Sequence, residues 1–339
     1  MTISVFPEKS KCLAKKYLFP AVYKLLEHKE TGSGFTLLKA INSGIKNVDS
    51  SIGIYAGDSM SYNTFALIFD PAIREYHDFP EGKKHRSDIS RIELANLDPE
   101  KRYIRSTRIR IARNLNNFDF PPHINLLFRR KLEKKVVSAL KSLKGNFQGQ
   151  YYSFKDYNSS KYSGSKKKLC FPKGDRFQDA AGINSDFPEC RGVFKSFDKP
   201  LMVWVNEEDH LRVISLRLSA DIAKVYNDVC MAVDKLSHHF DFAWHDTYGY
   251  LTSCPTNIGT SMRAGVHIQL KKLAQKRTIL NDLVNSYNLQ IRGTKGEKTR
   301  VENAVFDISN LQRLGISEYE TIQNLHKGLE SIIKTEKKL

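Results

Sequence analysis

Along residues 10–80 apolar side chains recur at helical spacing, first Leu18, Val22, Leu25 and Leu26, then Phe35, Leu37, Leu38 and Ile41, with Gly32-Ser33-Gly34 separating the two runs. The pattern predicts a small all-helical N-terminal unit. Between Pro80 and Pro99 the chain turns polar, through Gly82, Lys83, Lys84, His85, Arg86 and Ser87, as a linker does. The division is placed there, giving units of residues 1–85 and 86–339. Beyond it the period changes. Residues 104–113 alternate, so that in an extended strand Arg108 and Arg110 share one face while Ile109 and Ile111 point to the other. Residues 201–205 and 211–218 are β-rich runs joined by the polar Asn206-Glu207-Glu208-Asp209, the spacing of a hairpin. Residues 263–270 alternate again, with Arg263, Gly265, His267 and Gln269 opposite Ala264, Val266, Ile268 and Leu270. The expected fold class is α+β: a small all-helical N-terminal domain and a larger domain with an antiparallel β-sheet flanked by helices. Residues 159–168 are polar and lysine-rich and read as a surface loop.

A chain of 339 residues exceeds what one core ordinarily serves, in keeping with two units. No apolar run approaches the roughly 18 residues of a membrane-spanning helix. The opening residues, with Glu8, Lys9, Lys11, Lys15 and Lys16, carry no secretory apolar stretch, so a cytoplasmic protein is expected. Cys12, Cys170, Cys190, Cys230 and Cys254 show no C-x-x-C spacing and read as reduced thiols. The excess of 54 basic over 37 acidic residues, a charge of +17, favours an anionic partner. A polyphosphate nucleotide, a nucleic acid and an acidic lipid all fit that description.

The usual phosphate loops are missing: there is no G-x-x-x-x-G-K-[ST], no complete G-x-G-x-x-G and no protein-kinase signature set. His238, His239 and His245 lack metal-ligand spacing, and no protein metal site is expected. What the chain does offer is arginine. Arg108 and Arg110 lie on one strand face, Arg212 follows the acidic turn, Arg263 follows a Gly-Thr-Ser turn, and Arg292 precedes a glycine-flanked loop. Guanidinium groups pair with phosphate oxygens through two parallel hydrogen bonds and keep their charge, which suits phosphoryl transfer, where positioning and charge stabilisation dominate. Their counterparts are Glu207, Glu208 and Asp209 in the turn and Glu297 in the loop, acids able to receive a guanidinium bidentately. Cys254 adds a thiol beside a turn rich in hydroxyl and glycine.

Seven segments, SSIGIY (residues 50–55), STRIRIARNL (106–115), KGDRF (173–177), VNEEDHLRVISL (205–216), CPTNIGTSMRAGVHIQL (254–270), RGTKGE (292–297) and FDISNLQRLGISEYE (306–320), together resemble the phosphagen kinases, the ATP:guanidino phosphotransferases, and most of all their arginine kinase branch. The resemblance implies reversible transfer of the ATP γ-phosphoryl to a guanidino substrate, with L-arginine expected, in a cleft between the two domains. By the same resemblance Arg108, Arg110, Arg212, Arg263 and Arg292 bind the nucleotide phosphates, Glu208 and Glu297 grip the guanidinium, and Cys254 contacts it beside them. Ser50, Ser51, Ile52 and Tyr55 belong to the loop that closes over the substrate's amino-acid end. Magnesium is carried by ATP, with Glu207 an outer contributor. Asp49 and Arg176 match a pair that bridges the domains. The chain departs from the family pattern at Ser51, at Lys167 and Lys168 before the KGDRF segment, at Phe187 and at Lys298 beside Glu297.

The implied partners are ATP or ADP and a guanidino small molecule, with no specific nucleic acid and no membrane, and a monomer is expected in preference to a dimer. The alternative within the family is a catalytically impaired paralogue that binds nucleotide or a partner, suggested by Ser51, Lys168 and Lys298. A nucleic-acid-binding module is the alternative from another class, suggested by Arg129-Arg130-Lys131, Lys166-Lys167-Lys168 and Lys271-Lys272, with no recognised motif beside them.

Overall fold

The structure, a computed structural model, describes residues 5–157, 171–293 and 302–339. The lysine-rich loop read at 159–168, and Glu297 with Lys298, lie outside the described residues. The N-terminal part is helical: α1 (Leu13–Tyr17), α2 (Pro20–Leu26), α3 (Leu37–Lys46), α4 (Ser61–Thr64) and α5 (Ala66–His77). Leu18, Val22 and Leu26 face inward at four-residue spacing, as do Leu37, Ala40, Ile41 and Gly44. Leu25 and Leu38, which the apolar pattern includes in these faces, are exposed. Each sits beside a stronger inward neighbour one residue away, and a helix about 100° per residue cannot bury both.

Two glycines set how closely α3 approaches the loop at residues 50–55. A Cβ on Gly44 would lie 2.7 Å from the Gly53 carbonyl, and Gly53 itself has φ +74°. The loop is pinned by backbone bonds: Leu13 and Ala14 donate to the carbonyls of Ser51 and Ile52, both at 2.9 Å, and Tyr55 donates to Ala40 at 2.9 Å.

The larger part runs β1 (Ile104–Arg113), α6 (Leu126–Ser142), β2 (Gly149–Ser153), α7 (Phe154–Tyr157), α8 (Arg176–Ala180), β3 (Gly192–Ser196), β4 (Leu201–Val205), β5 (Leu211–Arg217), α9 (Ile222–Ser237), β6 (Trp244–His245), β7 (Gly249–Tyr250), β8 (Met262–Gln269), α10 (Arg277–Ser286), β9 (Leu289–Arg292), β10 (Val305–Asn310) and α11 (Glu318–Lys338). Among the described residues eight strands form one sheet in the order β2-β3-β4-β5-β1-β8-β10-β9, antiparallel at every pairing. The alternation read in the sequence holds: Ile109, Ile111, Ala264, Val266 and Ile268 enter the core under α6, α9, α10 and α11. The arginines stand on the opposite face.

Residues 79–103 carry no helix or strand. From His85 onward this connection is fastened to the larger part: His85 N–H donates to Thr247 O at 3.0 Å, Asp88 N–H to Glu318 at 2.9 Å and Ile92 N–H to Asn227 at 3.0 Å. The N-terminal core is not closed by its own helices. Phe120, Ala181, Ile183, Ala243, Tyr248, Leu251, Cys254, Ile258 and Leu314 of the larger part complete it. Tyr62 Oη donates to Thr252 O at 2.7 Å and Ala56 N–H to Ser253 O at 2.8 Å along the same seam.

Candidate active site

Strand register assembles the arginines. Arg110 lies directly opposite Arg263 across β1 and β8, and Arg212 opposes Ala112 across β1 and β5, so Arg108, Arg110, Arg212 and Arg263 project from one face. Residues 206–209 become the tip of the β4–β5 hairpin. Asn206 adopts φ 59°, its N–H donates to His210 O at 3.0 Å, and its amide donates to Cys190 O at 2.7 Å. Asn114 clamps the tip from the end of β1, accepting from His210 N–H at 2.8 Å and donating to Asp209 Oδ1 at 2.8 Å. The same Asp209 oxygen accepts from Ser253 N–H at 2.8 Å, which fixes the hairpin tip to the Cys254 loop.

Glu208 and Arg212, read from the sequence as groups for different ligands, are each other's partner here. Arg212 Nη1 lies 2.6 Å from Glu207 Oε2, and its Nη2 pairs with Glu208. Burial works against the Arg212 charge, yet Glu207, Glu208 and Asp209 outweigh it and raise its pKa. Burial raises Glu208, and Arg212 opposes the shift. For Arg108 and Arg110 the nearby acids do not outweigh burial. Arg110 is pushed well down by burial and then by Arg212 and Arg108, and Arg108 is lowered by burial and by Arg263 and Arg212. Guanidinium groups do not give up their proton in proteins, so the shift registers as repulsion that an anion relieves. Arg263 is partly neutralised by Asp307 at 2.5 Å, and Arg108 lies over Trp204, 5.6 Å from the ring centroid.

Two cavities meet at this cage. One, of about 440 Å³, is lined by Ser50, Ser51, Ile52, Tyr55, Glu208 and Cys254, together with Arg110, Arg292 and Arg313. The other, of about 420 Å³, is lined by Arg108, Arg110 and Arg263 with Met202, Leu216, Leu218, His267 and Asp307. Between them lies a void of about 10 Å³ bordered by Arg110, Arg212, Arg263 and Arg313. The five arginines therefore do not share a single pocket: Arg292 stands in the first, Arg108 and Arg263 in the second, and Arg110 in both. Cys254 is buried, its Sγ 3.1 Å from Thr256 Oγ1, and burial with the nearby Glu208 charge pushes the thiol up to about 12. Tyr55 interacts with that thiol.

Asp49 and Arg176 form an exposed ion pair across the seam, joined by Arg176 Nη1 donating to Asn47 Oδ1 at 3.0 Å. The sequence reading missed Arg313, which lines the first cavity and the void and donates to Thr256 O at 3.0 Å. It lies inside a segment that carried the family resemblance, but no arginine partner or turn chemistry marks it. Among the described residues no group of three or more His, Cys, Asp or Glu side chains is arranged to hold a metal ion, and no helix is long and apolar enough to cross a membrane.

His210 supports the hairpin from below. Its Nδ1 accepts from Leu115 N–H at 3.0 Å, so the proton sits on Nε2, which donates to Asp119 O at 2.9 Å. Burial lowers its pKa to about 3, and burial likewise lowers His77, bonded to Pro255 O at 2.8 Å, to about 4. As pH falls below the ordinary value of 6.5 the unfolded chain takes up these protons and the folded chain does not. Stability present above pH 6.5 is therefore lost progressively towards pH 4 for His77 and pH 3 for His210. Urea denaturation between pH 6 and pH 5 is expected to show His210→Asn flattening the acid slope by about 1 kcal/mol per pH unit. An unchanged slope removes His210 from the acid limb.

With this geometry in view, the comparisons with known proteins are unambiguous. ATP:guanido phosphotransferase, C-terminal catalytic domain, matches residues 131–339, and ATP:guanido phosphotransferase, N-terminal domain, matches residues 8–74. The chain belongs to the ATP:guanido phosphotransferase family and is a phosphagen kinase, a phosphotransferase that binds ATP or ADP and a guanidino substrate. Within that class it is similar to arginine kinases: 41% identical to that of Penaeus monodon over 337 residues, covering 97% of this chain and 94% of that protein, and 42% identical to that of Limulus polyphemus over 333 residues, covering 96% and 93%. Against the arginine kinase of Anthopleura japonica, 41% identical over 334 residues, the chain spans 47% of that protein's length. Among solved structures, lombricine kinase superposes with a TM-score of 0.91 at 30% identity, over 99% of this chain and 96% of that one. The substrate-free duplicated taurocyamine kinase from Schistosoma mansoni gives 0.88 at 31% identity, over 98% and 48%.

Proposed function

We propose that the chain transfers the γ-phosphoryl of MgATP reversibly to L-arginine, acting as a cytoplasmic monomer. Residues 1–85 supply the guanidino-substrate side and residues 86–339 the nucleotide side. The observation that carries the reading is the position of Arg110, which borders the acid-lined cavity, the arginine-lined cavity and the void between them. A triphosphate in the second cavity directs its terminal phosphoryl towards Arg110, and a guanidinium in the first meets it from beside Glu208 and Cys254. Transfer is direct: the guanidino nitrogen forms the new N–P bond and gives up its proton to Glu297 as the bond to the β-phosphate oxygen breaks and ADP leaves, with Arg110, Arg212 and Arg263 offsetting the charge.

Glu207 holds Arg212 on the nucleotide side, while the substrate's guanidinium takes its place beside the Glu208 carboxylate, with Glu297 assigned to grip it from the other side. Magnesium enters with the nucleotide as part of the substrate and neutralises its β- and γ-oxygens. Glu207, the acid expected to contribute from outside, is held by Arg212. Arginine is favoured over other guanidino compounds because the relatives named arginine kinase are 41–42% identical, against 30–34% for the lombricine and taurocyamine kinase structures.

A coupled assay of ADP release with arginine, creatine, taurocyamine and lombricine tests this. Arginine is expected to give the highest kcat/KM by at least about tenfold. Preference for another compound reassigns the substrate. No turnover with any of them returns the chain to a binding paralogue, for which Ser51 in the substrate loop is the described departure.

A further inference from the structure

The outer face of α6 has no role in the chemistry above. Leu132, Val136, Ala139 and Leu140 turn its inner side into the core. Opposite them, Leu127, Phe128, Arg130, Lys131, Lys134, Lys135, Ser138, Lys141 and Ser142 are all exposed. At about 100° per residue these positions fall within roughly 160° of arc, a single stripe along the helix. Its charge is of one sign. Between Leu126 and Gln148 the sole carboxylate is Glu133, which sits on the flank and accepts from Tyr151 Oη at 2.7 Å.

Among the described residues none of Arg130, Lys131, Lys134, Lys135 and Lys141 is ion-paired with a carboxylate, whereas Arg129 on the inner side reaches Asp186 at 4.0 Å. Arg130 with Lys134, and Lys131 with Lys135, place like charges four residues apart, a spacing that weakens a helix unless an anion lies across it. At the N-terminal end the stripe finishes in two exposed apolar side chains, Leu127 at 58% and Phe128 at 44%.

We propose that this face of α6 is a docking surface for an acidic segment of a protein partner. Charge complementarity defines the occupant: a row of carboxylates at helical or extended spacing neutralises five cations, and an apolar side chain on the partner meets Leu127 and Phe128. A bilayer fits less well, because a helix lying on a membrane inserts its apolar face and that of α6 is already spent on the core. A nucleic acid backbone uses the cations alone and adds nothing at Leu127 or at Phe128, over whose ring Lys131 Nζ lies 4.8 Å from the centroid.

The test compares the full-length chain with Lys131→Glu/Lys134→Glu/Lys135→Glu and with a control of equal net charge, Lys24→Glu/Lys29→Glu/Lys84→Glu, at physiological ionic strength. The probes are short fluorescent poly-L-glutamate, duplex DNA, and vesicles of equal parts phosphatidylcholine and phosphatidylserine. The α6 variant is expected to bind poly-L-glutamate at least about tenfold more weakly, the summed effect of three exposed charge contacts, with kcat unchanged and the control within about twofold. Equal losses in both variants reduce the effect to overall charge and overturn the proposal. Tighter binding of DNA or vesicles than of poly-L-glutamate, lost in the same α6 variant, overturns it in favour of that polyanion.

Discussion

Glu208→Gln is expected to lower kcat by about 10²–10³-fold while the dissociation constant for MgATP moves by less than about threefold. The glutamine keeps the shape and one acceptor oxygen but loses the charge that holds a guanidinium in line. Arg212 keeps Glu207, 2.6 Å from its Nη1, so the nucleotide side of the cage stays assembled. Glu208 lines the cavity with Ser51 and Cys254 and is absent from the lining of the one with Arg108 and Asp307, which is why the two effects separate. Steady-state kinetics with equilibrium nucleotide binding checks the split. A kcat within about threefold of the parent removes Glu208 from the reaction, and an equal loss in nucleotide affinity makes it a structural prop for Arg212.

The largest effect on stability is expected from Glu318→Ala, about 3–5 kcal/mol. Arg113 and Glu318 are 1% and 0% exposed and lie 3.5 Å apart. The Arg113 guanidinium rests 3.3 Å from the Tyr250 ring centroid and donates to the carbonyls of Ala112 at 2.8 Å and Thr260 at 3.0 Å. The carboxylate also accepts from Ser87 Oγ at 3.0 Å and Asp88 N–H at 2.9 Å, tying the connection between the domains to the start of α11. Removing it leaves a buried cation without its counter-charge and two donors without an acceptor. Urea denaturation reads the loss directly. The double change Arg113→Met/Glu318→Leu is expected to recover most of it, since an apolar pair of similar volume replaces a buried ion pair at little cost. A loss under about 1 kcal/mol in the single variant shows that water reaches the site and that the pair is not isolated in the core.

How far the sequence could be read depended on the distance over which each feature is decided. The strands were legible because a half-buried sheet forces alternation: Arg108 and Arg110 against Ile109 and Ile111 predicts both the strand and the side on which charge gathers. The hairpin was legible because polar residues 206–209 interrupt two β-rich runs. Exposure of Leu25 and Leu38 was not, since adjacent apolar residues on a helix do not say which of them faces in. Arg113 and Glu318, lying 205 positions apart, received no role from the sequence beyond their place in two motif segments. At the site the residue types and the family motifs identified the cage, yet local spacing gave no hint that Glu208 and Arg212 bind each other before any ligand arrives. Arg313 escaped for the same reason as the buried pair: its role exists only once distant loops meet.

The nine side chains that the larger part lends to the helical core have a consequence for altering specificity. Grafting a relative's first 85 residues onto this chain would transplant the loop at residues 50–55 without the surface on which its supporting helices rest. Such a hybrid inherits mismatched packing along the seam, so a recipient must be chosen, or rebuilt, to match the donor at Phe120, Tyr248, Leu251, Ile258 and Leu314. Selectivity in such hybrids is expected to depend on both halves of the molecule, through the packing of the seam as well as through the residues that line the cavity.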